Sequence, residues 1–398
     1  MAPASAPPMV NLQGVMVPQQ AINPQLFMAR TRKMVFANKS FAFSGFGAND
    51  FVELPKVGVL GKVNLEFNGS LVVTLNGGTC ATSGAWPYDL VSRVQFAANG
   101  LSNLINASGW HLKLREVMQR GDLTDKSVVR GITGASPGTQ VTSGSLSLEN
   151  ENWGVGQAVT AIAGGTYDVN LSIPIPVAYD DIYLTGAVLA QTSATDLTVT
   201  LNYNPVANLF ALTGGATVAL TGTWQVVPEA YTIPTGPEGI VLPDLSHLHS
   251  LVQSSTAGIQ LGENEIRLAG QGVGRQTMRM WFRTINGAAG ATRQALAINR
   301  ANYGNLGWRY GANDTPQMWP DGRALAVANE RTFGNNMARQ GFGVFDFVNE
   351  NAFRDTVDQG SATELRLVAT INNSVTLTNP SFEYCQELLL PGAVAAAA

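Results

Sequence analysis

The sequence predicts an all-β protein made of two tandem sandwiches or jelly rolls, with a few short helices. Three observations lead there. Short runs of β-branched and aromatic residues alternate with polar ones at period two. Turn signals built on Gly, Asn and Pro separate them, and helical segments are few and brief. The chain has 398 residues, enough for two domains of about 150–200 residues each.

The first 29 residues carry no charge, are rich in Ala, Pro, Gln and Met, and lead to the basic cluster Arg30-Thr31-Arg32-Lys33. Such a composition cannot bury a core by itself, so an N-terminal arm, residues 1–35, is expected to lack order or to gain it only against a partner. Strand patterns begin at Phe36. In Lys62–Asn68, Val63, Leu65 and Phe67 share one face and Lys62, Asn64, Glu66 and Asn68 the other, the mark of a half-buried strand. Asp168–Ile173, Asp196–Tyr203, Met278–Arg283 and Glu364–Ile371 repeat the device, with Asn76-Gly77-Gly78, Asn99-Gly100, Gly164-Gly165, Gly214-Gly215 and Asn286-Gly287 as turns. Trp110–Arg120 reads as a short helix; Asp181–Ala190 and Ala326–Arg339 are further helix candidates, the last interrupted by Gly334.

Pro228, Pro234, Pro237 and Pro243 fall close together with Gly236 and Gly239, which suits a joint between two β domains. The first then covers residues 36–232, and the second, with its C-terminal tail, residues 233–398. Each half holds about eight strands' worth of pattern, the count of a jelly roll. No sequence repeat links the halves, so any duplication is one of architecture. Leu388-Leu389-Leu390 and the alanines after Gly392 are too apolar to float freely and are expected to dock on a neighbour.

Charged residues make up 13% of the chain, roughly half the usual share. A surface that poor in charge points to one covered by neighbours, hence to an assembly. The formal net charge of −4 offers no basic field to grip a nucleic-acid backbone, so no specific nucleic acid is expected. The uncharged N-terminus lacks the positive region of a secretory signal, and no run of apolar residues is long enough to span a membrane. A soluble product is expected.

Chemistry is sparse. Cys80 and Cys385 cannot define a disulfide framework and read as small apolar residues. No Gly-x-Ser-x-Gly elbow accompanies the three histidines. His247 and His249 share a strand face, yet no Cys or His pair nearby completes a metal site; they read as surface or interface histidines. Paired carboxylates, Glu149 with Glu151 or Asp180 with Asp181, lie beside turns where solvated acids are ordinary. Gly270-Gln271-Gly272-Val273-Gly274 lacks the context of a phosphate loop. No cofactor, metal or catalytic residue is expected: the protein is not an enzyme. The basic cluster Arg30, Arg32 and Lys33, following Met9, Met16, Leu26, Phe27 and Met28, suits an anionic lipid surface, at about 1 kcal/mol per basic side chain.

Ser108-Gly109-Trp110-His111-Leu112, Pro176-Val177-Ala178-Tyr179 and Leu184-Thr185-Gly186-Ala187-Val188-Leu189-Ala190 resemble the major capsid protein of tectiviruses, the tailless, membrane-containing icosahedral phages. Gly239–Ser246 and Ser255–Gly258 are similar to the start of that family's second barrel; Gly341–Phe345 and Glu364–Leu367 follow its last strands more loosely. The glycine-rich loops and the uncharged arm depart from it. The resemblance implies two eight-stranded jelly rolls in tandem, standing upright in a homotrimer of pseudo-hexagonal outline that tiles an icosahedral shell over an internal membrane. It implies structural roles for Trp110, His111, Tyr179, Leu184, Thr185 and Gly186, and places Arg30, Arg32 and Lys33 on the inner face. Its partners would be its own copies, penton and minor capsid proteins, and viral membrane lipids met by the arm. It would be made in a host bacterial cytoplasm and reside in the virion capsid. The alternative is a secreted or surface β-sandwich that binds carbohydrate or adheres, for which Trp86, Trp153 and Trp319 are the candidate stacking residues.

Overall fold

The computed structural model describes residues 9–12, 15–18, 22–35, 39–98, 101–120, 129–131, 162–191, 196–236, 239–268, 274–288, 290–310, 314–333, 341–348, 356–358 and 365–391. Sixteen of its strands make two barrels. The first comprises β1 (Lys39–Ala42), β2 (Asn49–Glu53), β3 (Val59–Thr74), β4 (Val91–Ala98), β5 (Leu101–Ala107), β6 (Gly165–Ile175), β7 (Thr198–Tyr203) and β8 (Thr217–Tyr231). The second comprises β9 (His247–Ala257), β10 (Gly262–Arg267), β11 (Gln276–Asn286), β12 (Tyr303–Tyr310), β13 (Asp314–Trp319), β14 (Gly343–Asp346), β15 (Leu365–Ile371) and β16 (Ser381–Pro391).

The strand orders are β1-β8-β3-β6 facing β2-β7-β4-β5, then β9-β16-β11-β14 facing β10-β15-β12-β13. Adding eight to each number of the first pair of sheets gives the second. Both are jelly rolls, and the duplication expected of architecture alone is complete at the level of topology. Alternation along each strand explains the packing. Val63, Leu65 and Phe67 of β3 point into the first barrel, and Met280, Phe282, Phe382 and Tyr384 fill the second.

The barrels are joined edge to edge. β5 pairs with β9 in parallel, Ile105 opposite Leu251 and Asn106 opposite Val252, so one sheet of the first barrel runs on into one of the second. Ser250 donates its hydroxyl to Leu104 O at 2.8 Å across this seam. A helix leaves each barrel at the same place. α2 (Gly109–Arg120) follows β5, and α3 (Gly322–Phe333) follows β13. An earlier helix, α1 (Pro24–Arg30), lies in the arm.

Four expectations are corrected here. Residues 22–30 order against their own chain: Asn23 accepts the Leu26 N–H at 3.0 Å as an N-cap, and Phe27 is fully buried with Val59, Leu184, Leu242 and Leu245. Burying that ring is worth about 1.5–3 kcal/mol, which the composition of the whole arm conceals. Asp181–Ala190 is a series of turns ending in a two-residue strand, because Leu184 (φ 56°) and Gly186 (φ 77°) hold left-handed backbone that a helix cannot contain. Leu388 and Leu389 are buried in β16 against β9 of the same chain, not on a neighbour. The third helix begins earlier than expected, at Gly322, because Asp321 caps it; residues 334–340 lie outside the described residues. Both cysteines are buried and unbridged, and burial pushes the Cys80 thiol up to about 11 and the Cys385 thiol well above its usual value.

Candidate functional site at the junction of the barrels

A buried polar cluster lies where α2 crosses from the first barrel onto the outer face of β11 and β16. Alternation along β16 sends Phe382 and Tyr384 into the second barrel and turns Glu383, Cys385 and Glu387 the other way. On an isolated sheet that outer face would be wet. Here α2 covers it. Trp110 packs on Phe342 with ring centroids 5.5 Å apart, and the Trp281 indole N–H donates to His111 Nδ1 at 2.8 Å.

Glu387, with no exposed surface, is the hub. It accepts from Arg115 Nε at 2.7 Å, lies 2.9 Å from His249 Nε2, and accepts from Arg279 at 3.5 Å. Arg115 also donates to Tyr179 O and to Gln119, each at 2.7 Å, and Arg279 reaches Asp346 at 3.2 Å. Burial works against the charge of Glu387, but Arg115, His249 and Arg279 hold its carboxyl well below the usual carboxylate range. Burial opposes the charge on Arg279 too, and Glu387 and Asp346 outweigh it, raising its pKa. A second pair lies farther along the strands: Glu383 accepts from Arg283 at 2.8 and 2.9 Å. Burial is again overcome there, chiefly by Arg283, and Glu383 is held at about 2. Burial draws His111 and His249 below the ordinary histidine value. For His111 the geometry agrees, since accepting the Trp281 N–H requires an unprotonated Nδ1.

The structure brings four of the six motif residues to this junction. Trp110 and His111 supply the contact face of α2, and the Tyr179 carbonyl receives Arg115 and Gln119. Gly186 O accepts the His249 N–H at 3.0 Å, and a Cβ on Gly186 would stand 2.5 Å from that same nitrogen. Thr185 O accepts the Tyr179 N–H at 2.8 Å. Leu184 lies in the adjoining cluster around Phe27. Of the basic residues, Lys33 pairs with Glu229 at 2.5 Å, while Arg30 and Arg32 are exposed. Glu383, Glu387, Arg115, Arg279, Arg283 and Asp346 were not singled out by the sequence. The one signal they offered was two acids four residues apart in a strand running into an apolar Leu-Leu-Leu.

The other candidates resolve individually. His249 spends both ring nitrogens, on Pro176 O at 2.7 Å and on Glu387, while His247 Nδ1 lies 2.9 Å from Ser246 Oγ. Asp180 caps its own turn, accepting the Ile182 and Tyr183 N–H groups. Glu149, Glu151 and residues 270–273 lie outside the described residues, as do the terminal alanines. Among the described residues no three His, Cys, Asp or Glu side chains are grouped to hold a metal ion, and no helix is long and apolar enough to cross a membrane. A cluster whose members are buried and committed to one another can lock two barrels in one relative position.

Comparison with known proteins follows the same division. Residues 51–225 match the family described as the P3 major capsid protein N-terminal. The major capsid protein P3 of Enterobacteria phage PRD1 is 26% identical over 189 residues, 44% of this chain and 45% of that relative, so the match spans under half of either. Among solved structures, the STIV MCP superposes with a TM-score of 0.61 at 15% identity, over 93% of this chain and 99% of that one. PBCV-1 VP54, as fitted into a reconstruction of the virophage Sputnik, gives 0.57 at 10% identity, over 93% and 97%. The fold shared with these structures, along nearly the whole chain, is the double jelly roll.

Proposed function

We propose that this chain, which carries the N-terminal domain of the P3 major capsid proteins on a double jelly-roll fold, is the major capsid protein of a bacteriophage with an internal membrane. The observation that carries the reading is that the family match in the first barrel sits inside a fold shared end to end with capsid proteins. Three copies form a capsomer of pseudo-hexagonal outline, because each chain contributes two barrels of one topology. Capsomers then tile the shell and meet penton and minor capsid proteins at its special positions. The domains are an arm (1–35), a first jelly roll (36–232) and a second with its tail (233–398).

The role is structural rather than catalytic. Glu387 and His249, at the centre of the junction, have no exposed side-chain surface and hold the barrels together. The arm faces inward, where Arg30 and Arg32, exposed beside the docked α1, meet anionic headgroups. The chain is made in the host bacterial cytoplasm and ends in the virion capsid. Light scattering of the purified protein tests the capsomer: three times the 42.1 kDa chain, persisting on dilution, is expected, and a monomer at every concentration overturns it. Co-sedimentation with phosphatidylglycerol vesicles tests the arm. Binding weakened by Arg30→Glu with Arg32→Glu is expected, and equal binding to neutral phosphatidylcholine vesicles refutes the electrostatic contact.

A further inference from the structure

The two barrels repeat each other beyond their strands. α2 and α3 each span 12 residues and leave the corresponding strand. The residue before each helix caps it three residues on: the His111 N–H donates to Ser108 Oγ at 3.4 Å, and the Ala324 N–H to Asp321 Oδ1 at 2.9 Å. Each helix starts on a glycine pressed against backbone. A Cβ on Gly109 would meet Tyr88 O at 2.6 Å, and one on Gly322 would meet Asn299 O at 2.5 Å. Three residues later Leu112 and Leu325 are each buried in the core of their own barrel. Cap, glycine and leucine fix one register without a gap.

That register has a consequence at the surface. In α2 the stripe Trp110, His111, Leu114, Arg115 and Met118 is buried, and its His111 and Arg115 reach the outer face of β11 and β16. The same positions in α3 are Arg323, Ala324, Val327, Ala328 and Arg331, of which Arg323, Val327 and Arg331 are exposed. All five border one shallow depression with Trp319. The face corresponding to the one α2 covers is the outer side of β1-β8-β3-β6. There Glu66 stands exposed among the uncharged Asn68, Thr223 and Gln225, directly opposite Gln225, and Lys113, which borders the same depression, is paired with Glu116 at 3.1 Å.

We propose that α3 of one copy covers the β3–β8 outer face of a second copy, with Arg323 and Arg331 toward Glu66, repeating between chains the contact that α2 makes within one. The occupant is a second copy because the geometry of the docked state is already present in the chain, and the charges are complementary. Donor and acceptor surfaces differ, so the contact is head-to-tail and closes a ring rather than a two-fold dimer. The seam within the chain is apolar around Trp110 and Trp281; the one between chains is polar, as interfaces formed after folding tend to be.

This inference rests on the proposal that copies assemble, and the experiment separates the two. Native mass of the unaltered chain is measured first; a monomer overturns the capsomer and this contact with it. Val327→Cys and Gln225→Cys chains are then mixed under mild oxidation. A cross-linked pair in the mixture, absent from either variant alone, is expected; the native thiols are buried and do not compete. Arg323→Glu with Arg331→Glu, or Glu66→Arg alone, is expected to raise the dissociation constant at least tenfold with an unchanged melting temperature, and the swap combined in one chain to restore assembly. If the unaltered chain assembles while these variants keep its mass and no cross-link forms, the contact lies elsewhere and the capsid reading stands.

Discussion

Replacing Glu387 by glutamine keeps the shape of the side chain and removes its charge. The carboxylate has no exposed surface and three close neighbours, the Arg115 guanidinium at 2.7 Å, the His249 ring at 2.9 Å and the Arg279 guanidinium at 3.5 Å. Arg279 retains Asp346 at 3.2 Å, so Arg115 is the group stranded without a counter-charge. Removing one partner of a buried pair costs about 3–5 kcal/mol. The glutamine oxygen still accepts a hydrogen bond, which places the expected loss near the lower end, about 3 kcal/mol. For a cooperative unit of about 150–250 residues that is a fall in Tm of roughly 6–12 °C. Differential scanning calorimetry measures it, with Glu265→Gln as the control. Glu265 pairs with Arg309 and Arg366 at a partly exposed site, where such a bridge is worth about 0–1 kcal/mol. A Glu387→Gln shift no larger than the control's refutes the claim that this hub holds the barrels together. Adding Arg115→Met to Glu387→Gln should then recover part of the loss, because the stranded charge is gone while Gln119 still donates to Tyr179 O.

Acid should act on the same junction in two stages. Burial sets His111 below its ordinary value near 6.5, so its contribution is complete above that pH and is lost as pH falls below it. Glu383, at about 2 against 4.5 unperturbed, contributes fully above pH 4.5 and loses its share only as pH falls toward 2. The difference in urea unfolding free energy between the unaltered chain and His111→Gln should narrow as pH falls from 8 to 4; an unchanged difference would exclude a contribution from His111. Phe27→Ala should release α1 without unfolding the barrels. Trypsin cleavage after Arg30 and Arg32 accelerates while the main melting transition stays within a few degrees. Cleavage at the native rate would mean that Phe27 does not anchor the arm.

The strands were legible because one face of each had to be apolar. Lys62–Asn68 shows this directly, and so does Glu364–Ile371. The docking of α1 was written in Asn23-Pro24, a helix cap followed by the residue best suited to the first turn, but the uncharged, proline-rich arm around it masked the signal. The loop at 181–190 has apolar residues at helical spacing, and only the left-handed backbone at Leu184 and Gly186 prevents a helix. The junction was half legible. Trp110, His111, Tyr179 and Gly186 stood in recognisable segments, whereas Glu383 and Glu387 alternate with Phe382 and Tyr384 as they would on any half-exposed strand. Period two says which residues share a face. It cannot say whether that face meets water or another element.

The same limit explains why a fold used twice leaves no visible sequence repeat. Inward positions of both barrels need only be apolar and of suitable volume, a condition many sequences meet. Outward positions carry the specific information, and the two outer faces have different neighbours. On the second barrel the face under α2 carries Trp281, Cys385 and the buried charges; on the first, the matching face carries Asn68, Thr223 and Gln225 in the open. What the halves do share lies where geometry leaves no latitude. A glycine opens each helix because backbone passes within 2.6 Å of where its Cβ would be, and a leucine three residues later seals each barrel. Gly109–Leu112 and Gly322–Leu325 are therefore the places at which one barrel can be read in terms of the other. In that register Arg323, Val327 and Arg331 of α3 are exposed, as the proposed contact with a second copy requires.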